Sequence, residues 1–111
     1  MASNAGAGKS SLTVAGLQQL IRERYFATDS ARGTPATFMW FIEEVGELAT
    51  ALAANAPGKS PAPTAAERAN LDEEFADVLA WLCTLANISG VDLESALRKY
   101  TVKGGVGGVK G

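Results

Sequence analysis

Two helical stretches with carboxylates at matching spacing constrain this chain more than anything else in it. The first, Phe38 to Leu52 (FMWFIEEVGELATAL), carries Glu44 and Glu47; the second, Asn70 to Leu85 (NLDEEFADVLAWLCTL), carries Glu74 and Asp77. Residues i and i+3 of a helix lie on nearly the same face, one turn apart. Packed against each other, two such helices bring four carboxylates to one spot. Like charges at that range repel, so the arrangement makes sense around a hard divalent cation.

On the first helix Phe38, Phe41, Ile42, Val45, Leu48, Ala49 and Leu52 form an apolar stripe at helical spacing. Glu44 falls at the edge of that stripe, Trp40, Glu47 and Ala51 just beyond it, and Glu43 on the far side, where a solvated charge is the ordinary outcome. On the second helix Leu71, Val78, Trp81, Leu82, Leu85 and Ile88 define the apolar arc; Glu74 lies inside it and Asp77 at its edge. Asp72 and Glu73 face solvent. A carboxylate within an apolar arc needs a cation or hydrogen-bond donors. For Glu74 the alternative to a metal is an ion pair with Arg68, Arg22 or Arg24.

Other features narrow the chemistry. The chain has 111 residues, enough for one domain, and a net charge of −2, which gives no reason to expect a nucleic-acid polymer or a membrane surface as partner. No apolar run approaches the roughly 20 residues of a membrane span, and no signal peptide is visible, so a cytoplasmic location is expected. The single cysteine, Cys83, has no internal disulfide partner and reads as a reduced packing residue. There is no histidine, which removes imidazole from both acid/base and metal-binding roles and leaves oxygen ligands suited to Mg2+ or Mn2+.

The expected architecture is an all-α bundle of about four helices. Residues 1–11 read as a disordered start; Gly8-Lys9-Ser10 does not make a phosphate loop, because no strand precedes it. A first helix is expected from Leu12 to Ala27 and a loop from Thr28 to Gly33. Thr34-Pro35 should start the second helix, with the threonine as N-cap, and Ala54 should end it. A loop spans Asn55 to Pro63, and Thr64-x-x-Glu67 reads as a capping box opening a third helix that stops at Gly90. Asp92 should cap a fourth helix to about Val102, with Leu93 and Leu97 inward, before a glycine-rich tail at 104–111. The long helices should pack antiparallel along Val45, Leu48, Val78 and Leu82. So few helices make a thin core, and self-association is the usual remedy.

Glu43-Glu44-x-x-Glu47 followed by Glu74-x-x-Asp77, with 26 residues between Glu47 and Glu74, resembles the EExxE…ExxD signature of the MazG-type all-α nucleoside triphosphate pyrophosphohydrolases. EEVGELA and EFADVLAWL read like that family's two core helices, and the resemblance covers Leu17 to about Lys103, within a domain at 12–103. It implies cleavage of a (d)NTP between the α- and β-phosphates to a (d)NMP and pyrophosphate. It also implies a homodimer or homotetramer whose active sites are completed between protomers. Glu44, Glu47, Glu74 and Asp77 would then be the catalytic and metal-binding residues, with Glu43 beside them. Members carry a lysine near an asparagine on the last helix. Here Lys99 and Lys103 stand in that region as phosphate-binding candidates, Thr101 aligns with the asparagine, and the glycine-rich tail replaces the family's basic and aromatic ending. Trp40, on the carboxylate side, is placed to stack on a base or to fill a core or an interface between copies.

Four carboxylates and a triphosphate repel each other, so the substrate needs a cation to approach; a metal would neutralise the site and acidify a bound water. The competing readings are phosphoribosyl-ATP pyrophosphohydrolase, a related all-α enzyme, and a non-catalytic helical interaction module. A module of that kind has no reason to carry the repulsion of four carboxylates.

Overall fold

A computed structural model of the chain describes residues 12–101, and every described element is helical. The expected disordered start at 1–11, the tail at 104–111 and Lys103 lie outside the described residues. Helix α1 spans Val14–Arg32, α2 Thr34–Ala54, α3 Ala65–Ser89 and α4 Leu93–Leu97, followed by a 3-10 turn at Arg98–Tyr100. The fourth helix is thus shorter than expected. Asp92 does cap it, accepting from the Ser95 N–H at 3.0 Å, but Leu97 is exposed and only Leu93 is half buried. No single helix among the described residues is long and apolar enough to cross a membrane.

The largest departure from expectation is at 28–33. In place of a loop, α1 continues to Arg32 and stops only at Gly33. Asp29 and Ser30 are turn formers, but Asp29 pairs with Arg32 one turn on, Oδ1 to Nη1 at 3.1 Å, and Arg32 sits favourably in the last turn of the helix. Gly33, at φ 83°, both ends α1 and opens α2: its N–H donates to Asp29 O and its carbonyl accepts from the Thr37 N–H, each at 3.1 Å. Thr34 is therefore the first helical residue and not the cap. Pro35 still lies in the first turn, where its missing N–H costs nothing.

The capping box at the start of α3 forms in both directions: Glu67 N–H donates to Thr64 Oγ1 at 3.1 Å, and Thr64 N–H donates to Glu67 Oε1 at 2.9 Å. Helices α2 and α3 run antiparallel. Asn55, at the end of α2, donates to Glu67 O at the start of α3 (3.1 Å), while Trp40, early in α2, stacks on Trp81, late in α3, with ring centroids 6.2 Å apart. Helix α1 lies along the second half of α3. Gln18 is the clamp: its Nε2 donates to Asn87 Oδ1 and to Val91 O, its Oε1 accepts from Leu93 N–H, and its backbone carbonyl accepts from Asn87 Nδ2.

The core is thin and made of small residues. Ala51, Leu71, Cys83 and Ala86 are its buried apolar members, joined by buried Thr37, Thr84, Asn87 and Asp29. The expected seam is half found: Leu48 and Val78 are half buried, but Val45 and Leu82 are 37% and 39% exposed. The reason is rotational. The line along which α2 meets α3 runs through Thr37, Phe41, Glu44, Leu48 and Ala51, so much of the apolar stripe of α2 is turned away from it.

Candidate metal centre

Glu44 lies on that meeting line itself, not at its edge. Opposite it α3 offers Glu74, half buried, and Asp77, one turn further on and exposed. Glu44, Glu74 and Asp77 each present a carboxylate oxygen within 4.8 Å of the other two. Glu47, one turn past Glu44, stands beside Glu74, close enough that the two carboxyl groups share a hydrogen bond when one is protonated. Three of the four expected carboxylates therefore converge on one point, and the fourth adjoins them.

The electrostatics of this group are unfavourable as it stands. Glu44's carboxyl is raised above its ordinary range, first by partial desolvation and then by the charges of Glu47, Asp77, Glu74 and Glu43. Glu74 is raised too, again mainly by desolvation, followed by Glu47 and Asp77. Its Oε1 is buried and has no hydrogen-bond partner. None of the arginines proposed as alternative partners reaches it: Arg22 lies over the Phe26 ring, Arg68 is turned to Asn55 Oδ1, and the ion pair among the described residues is Arg32–Asp29. A hard cation bound by oxygen ligands would relieve both the orphaned oxygen and the repulsion.

Residues 33–104 match the MazG nucleotide pyrophosphohydrolase domain, a span that contains both carboxylate helices and α4. The chain belongs to this family. No individual curated protein matches it. As a MazG-family protein it is an enzyme, a nucleotide pyrophosphohydrolase that cleaves an acid anhydride, in a family that works with divalent metal.

The other site candidates of this MazG domain are spread more widely. Glu43 is exposed and reaches Glu44 only through its charge. Trp40, 49% exposed, stacks on Trp81 one turn beyond Asp77, so an aromatic pair adjoins the carboxylates. Lys99 is exposed on the 3-10 turn with Nζ 5.2 Å from the Tyr100 ring centroid, and the structure does not bring it to the carboxylate group. Two features of the packing are not predicted from the sequence. One is Gln18, whose four bonds fix α1 to the end of α3. The other is the set formed by Asp29, Arg32 and Thr37 under Trp81, where Arg32 Nη1 also donates to Thr37 Oγ1 at 3.2 Å and its guanidinium sits 5.1 Å from the Trp81 ring centroid. The i, i+3 Asp29–Arg32 spacing was the available signal.

Proposed function

We propose that this chain hydrolyses nucleoside triphosphates to monophosphate and pyrophosphate using Mg2+, or Mn2+ in its place, held by Glu44, Glu74 and Asp77 with Glu47 completing the set. The observation that carries the reading is the buried, unpartnered Glu74 Oε1 within a group of three carboxylates whose oxygens lie inside 4.8 Å. The metal would polarise a phosphoryl oxygen and acidify a bound water. Glu47, exposed and adjacent to Glu74, would be the carboxylate to take a proton from an attacking water. Trp40 and Trp81 offer an aromatic wall beside the phosphates.

The same reading includes self-association. Phe38, Ile42, Val45 and Leu52 of α2 and Phe75, Leu79 and Leu82 of α3 are all exposed in the single chain. At 100° per residue each stripe is rotated by about a quarter turn from the line where the two helices meet, and in an antiparallel pair that puts both on one side. These seven large apolar side chains form one exposed patch, which a second copy of the hairpin would cover. A panel of canonical and modified NTPs and dNTPs, with product analysis and with or without Mg2+, tests the activity. Release of orthophosphate in place of pyrophosphate, or turnover indifferent to chelator, would contradict it.

A further inference from the structure

Glu44 sits in the middle of α2, and α2 is tied to its neighbours by hydrogen bonds at its two ends. At the C-terminal end Asn55 donates to Glu67 O at 3.1 Å and accepts from Arg68 Nη1 at 3.5 Å. At the N-terminal end Thr37 Oγ1 accepts from Arg32 Nη1 at 3.2 Å. Between these ends α2 faces α3 with Phe41 and Leu48, which slide easily, and with Glu44, which faces like charge. The N-terminal tie is therefore opposed by the very group it lies nearest. Gly33, at φ 83°, is the single residue joining α1 to α2, and a glycine resists rotation least.

Arg32 touches all three long helices. On its own helix it pairs with Asp29 Oδ1 at 3.1 Å; on α2 it holds Thr37, which is fully buried; on α3 its guanidinium covers the Trp81 ring, 5.1 Å from the centroid. The other face of Trp81 meets Trp40 of α2. We infer that Arg32 is a positioning residue for the metal centre: by tying Thr37 and Trp81 to the end of α1, it fixes the roll of α2 that brings Glu44 opposite Glu74 and Asp77. This rests on the reading of those carboxylates as a cation site. Thr37 lies two turns before Glu44 on the same meeting line, so a roll at one is a roll at the other. With side chains reaching about 5–6 Å from a helix axis, a roll of about 20° moves a carboxylate oxygen by about 2 Å. Mg2+ holds its oxygens at about 2.0–2.1 Å with little tolerance, so a displacement of that size empties the site of a ligand. Asp29 orients the guanidinium, whose planar fork can serve an acceptor and an aromatic face together.

Two variants of the full chain cut this tie without stranding a charge. Thr37→Val removes the acceptor and nearly keeps the shape. Asp29→Leu combined with Arg32→Met removes both members of the buried pair at once, an exchange that ordinarily leaves stability unchanged or higher. Each should keep the metal-free melting temperature within a few degrees of wild type and weaken Mn2+ binding, measured by electron paramagnetic resonance, by about tenfold. Trp40 and Trp81 are the chain's two tryptophans, and their stacking gives an exciton couplet in circular dichroism that should change in both metal-free variants. Joining the two sets of substitutions should add no more than about a further twofold loss, because they cut the same tie. Wild-type affinity and couplet in both variants would overturn the inference, as would losses that multiply to about a hundredfold. A loss of affinity accompanied by a large fall in metal-free melting temperature would also overturn it, since Arg32 would then support the fold at large. If the Asp29→Leu, Arg32→Met protein does not fold, Thr37→Val alone decides by the same measures. A wild type that binds no Mn2+ would sink the metal reading, and the couplet of metal-free Thr37→Val would still decide for or against Arg32.

Discussion

The α2–α3 hairpin has two unlike faces. One carries Glu47, Asp77, Trp40 and Trp81, is buttressed by α1 through Arg32 and Asp29, and gathers carboxylates that no ion pair among the described residues neutralises. The other carries Phe38, Ile42, Val45, Phe75, Leu79 and Leu82, exposed and without charge. Each face violates a rule of stable folding, the first by clustering carboxylates and the second by leaving large apolar side chains in water. The violations call for different partners: a cation and an anionic substrate on the first face, a second apolar surface on the other. The difference teaches that the thin core and the costly site are parts of one arrangement, in which the hairpin gives up self-sufficiency on both sides.

The sharpest way to separate the faces is by substitution on the charged one. Glu74→Gln keeps size and removes charge; it should lower Mg2+-dependent pyrophosphate release by at least about a hundredfold while leaving the metal-free fold as stable or more so. Glu43→Gln, one residue from Glu44 but exposed, should stay within about twofold of wild type in the same assay. Equal losses in the two variants would mean that the carboxylates do not act as the geometry groups them.

On the apolar face, Leu79→Glu leaves every carboxylate in place and puts a charge in the middle of the patch. The expected outcome is a fall in molar mass by light scattering, with helicity retained and hydrolysis reduced by about tenfold or more. A wild type that is monomeric at micromolar concentration would remove the reason for this face altogether.

A smaller effect should appear with pH. The raised carboxyls of Glu44 and Glu74 bind protons more tightly in the folded chain than in the unfolded one. The folded state therefore holds the extra protons in the window between their ordinary range and their raised values, and stability without metal falls as pH rises through that window. Melting temperatures in chelator should fall as pH rises above the ordinary carboxylate range, more in wild type than in Glu74→Gln. Adding Mg2+ should flatten or invert the trend, because metal competes with those protons. Because the capping-box carboxyl of Glu67 is lowered and works in the opposite sense, the comparison is with Glu74→Gln: a metal-free wild type whose melting temperature follows pH just as Glu74→Gln does would contradict the expectation.

Much of this was legible in the chain. The pair of i, i+3 carboxylates, the capping box at Thr64 and Glu67, the loop after Ala54 and the stop at Gly90 are local features, and the structure has them where local rules put them. The misreadings came where tertiary partners decide. Asp29 and Ser30 look like turn residues until Arg32 is seen to hold Asp29 inside the helix. The stripe of α2 suggests the seam because it is apolar, yet the helix meets α3 along Glu44 and Ala51, and periodicity alone does not say which part of a wide stripe faces a neighbour in the same chain. Gln18 carries no local signal at all, since its four bonds join residues about seventy positions apart.

The central claim is that Glu44, Glu74 and Asp77 form a divalent-cation site, and thermal unfolding during a Mg2+ titration tests it most directly. Wild type should gain several degrees with a saturating concentration dependence, about 2.7 kcal/mol of stabilisation at a hundredfold excess over the dissociation constant, and Glu74→Gln should begin at an equal or higher melting temperature and gain almost nothing. A wild type indifferent to Mg2+ and Mn2+, or a Glu74→Gln protein that melts markedly lower without metal, would contradict the account.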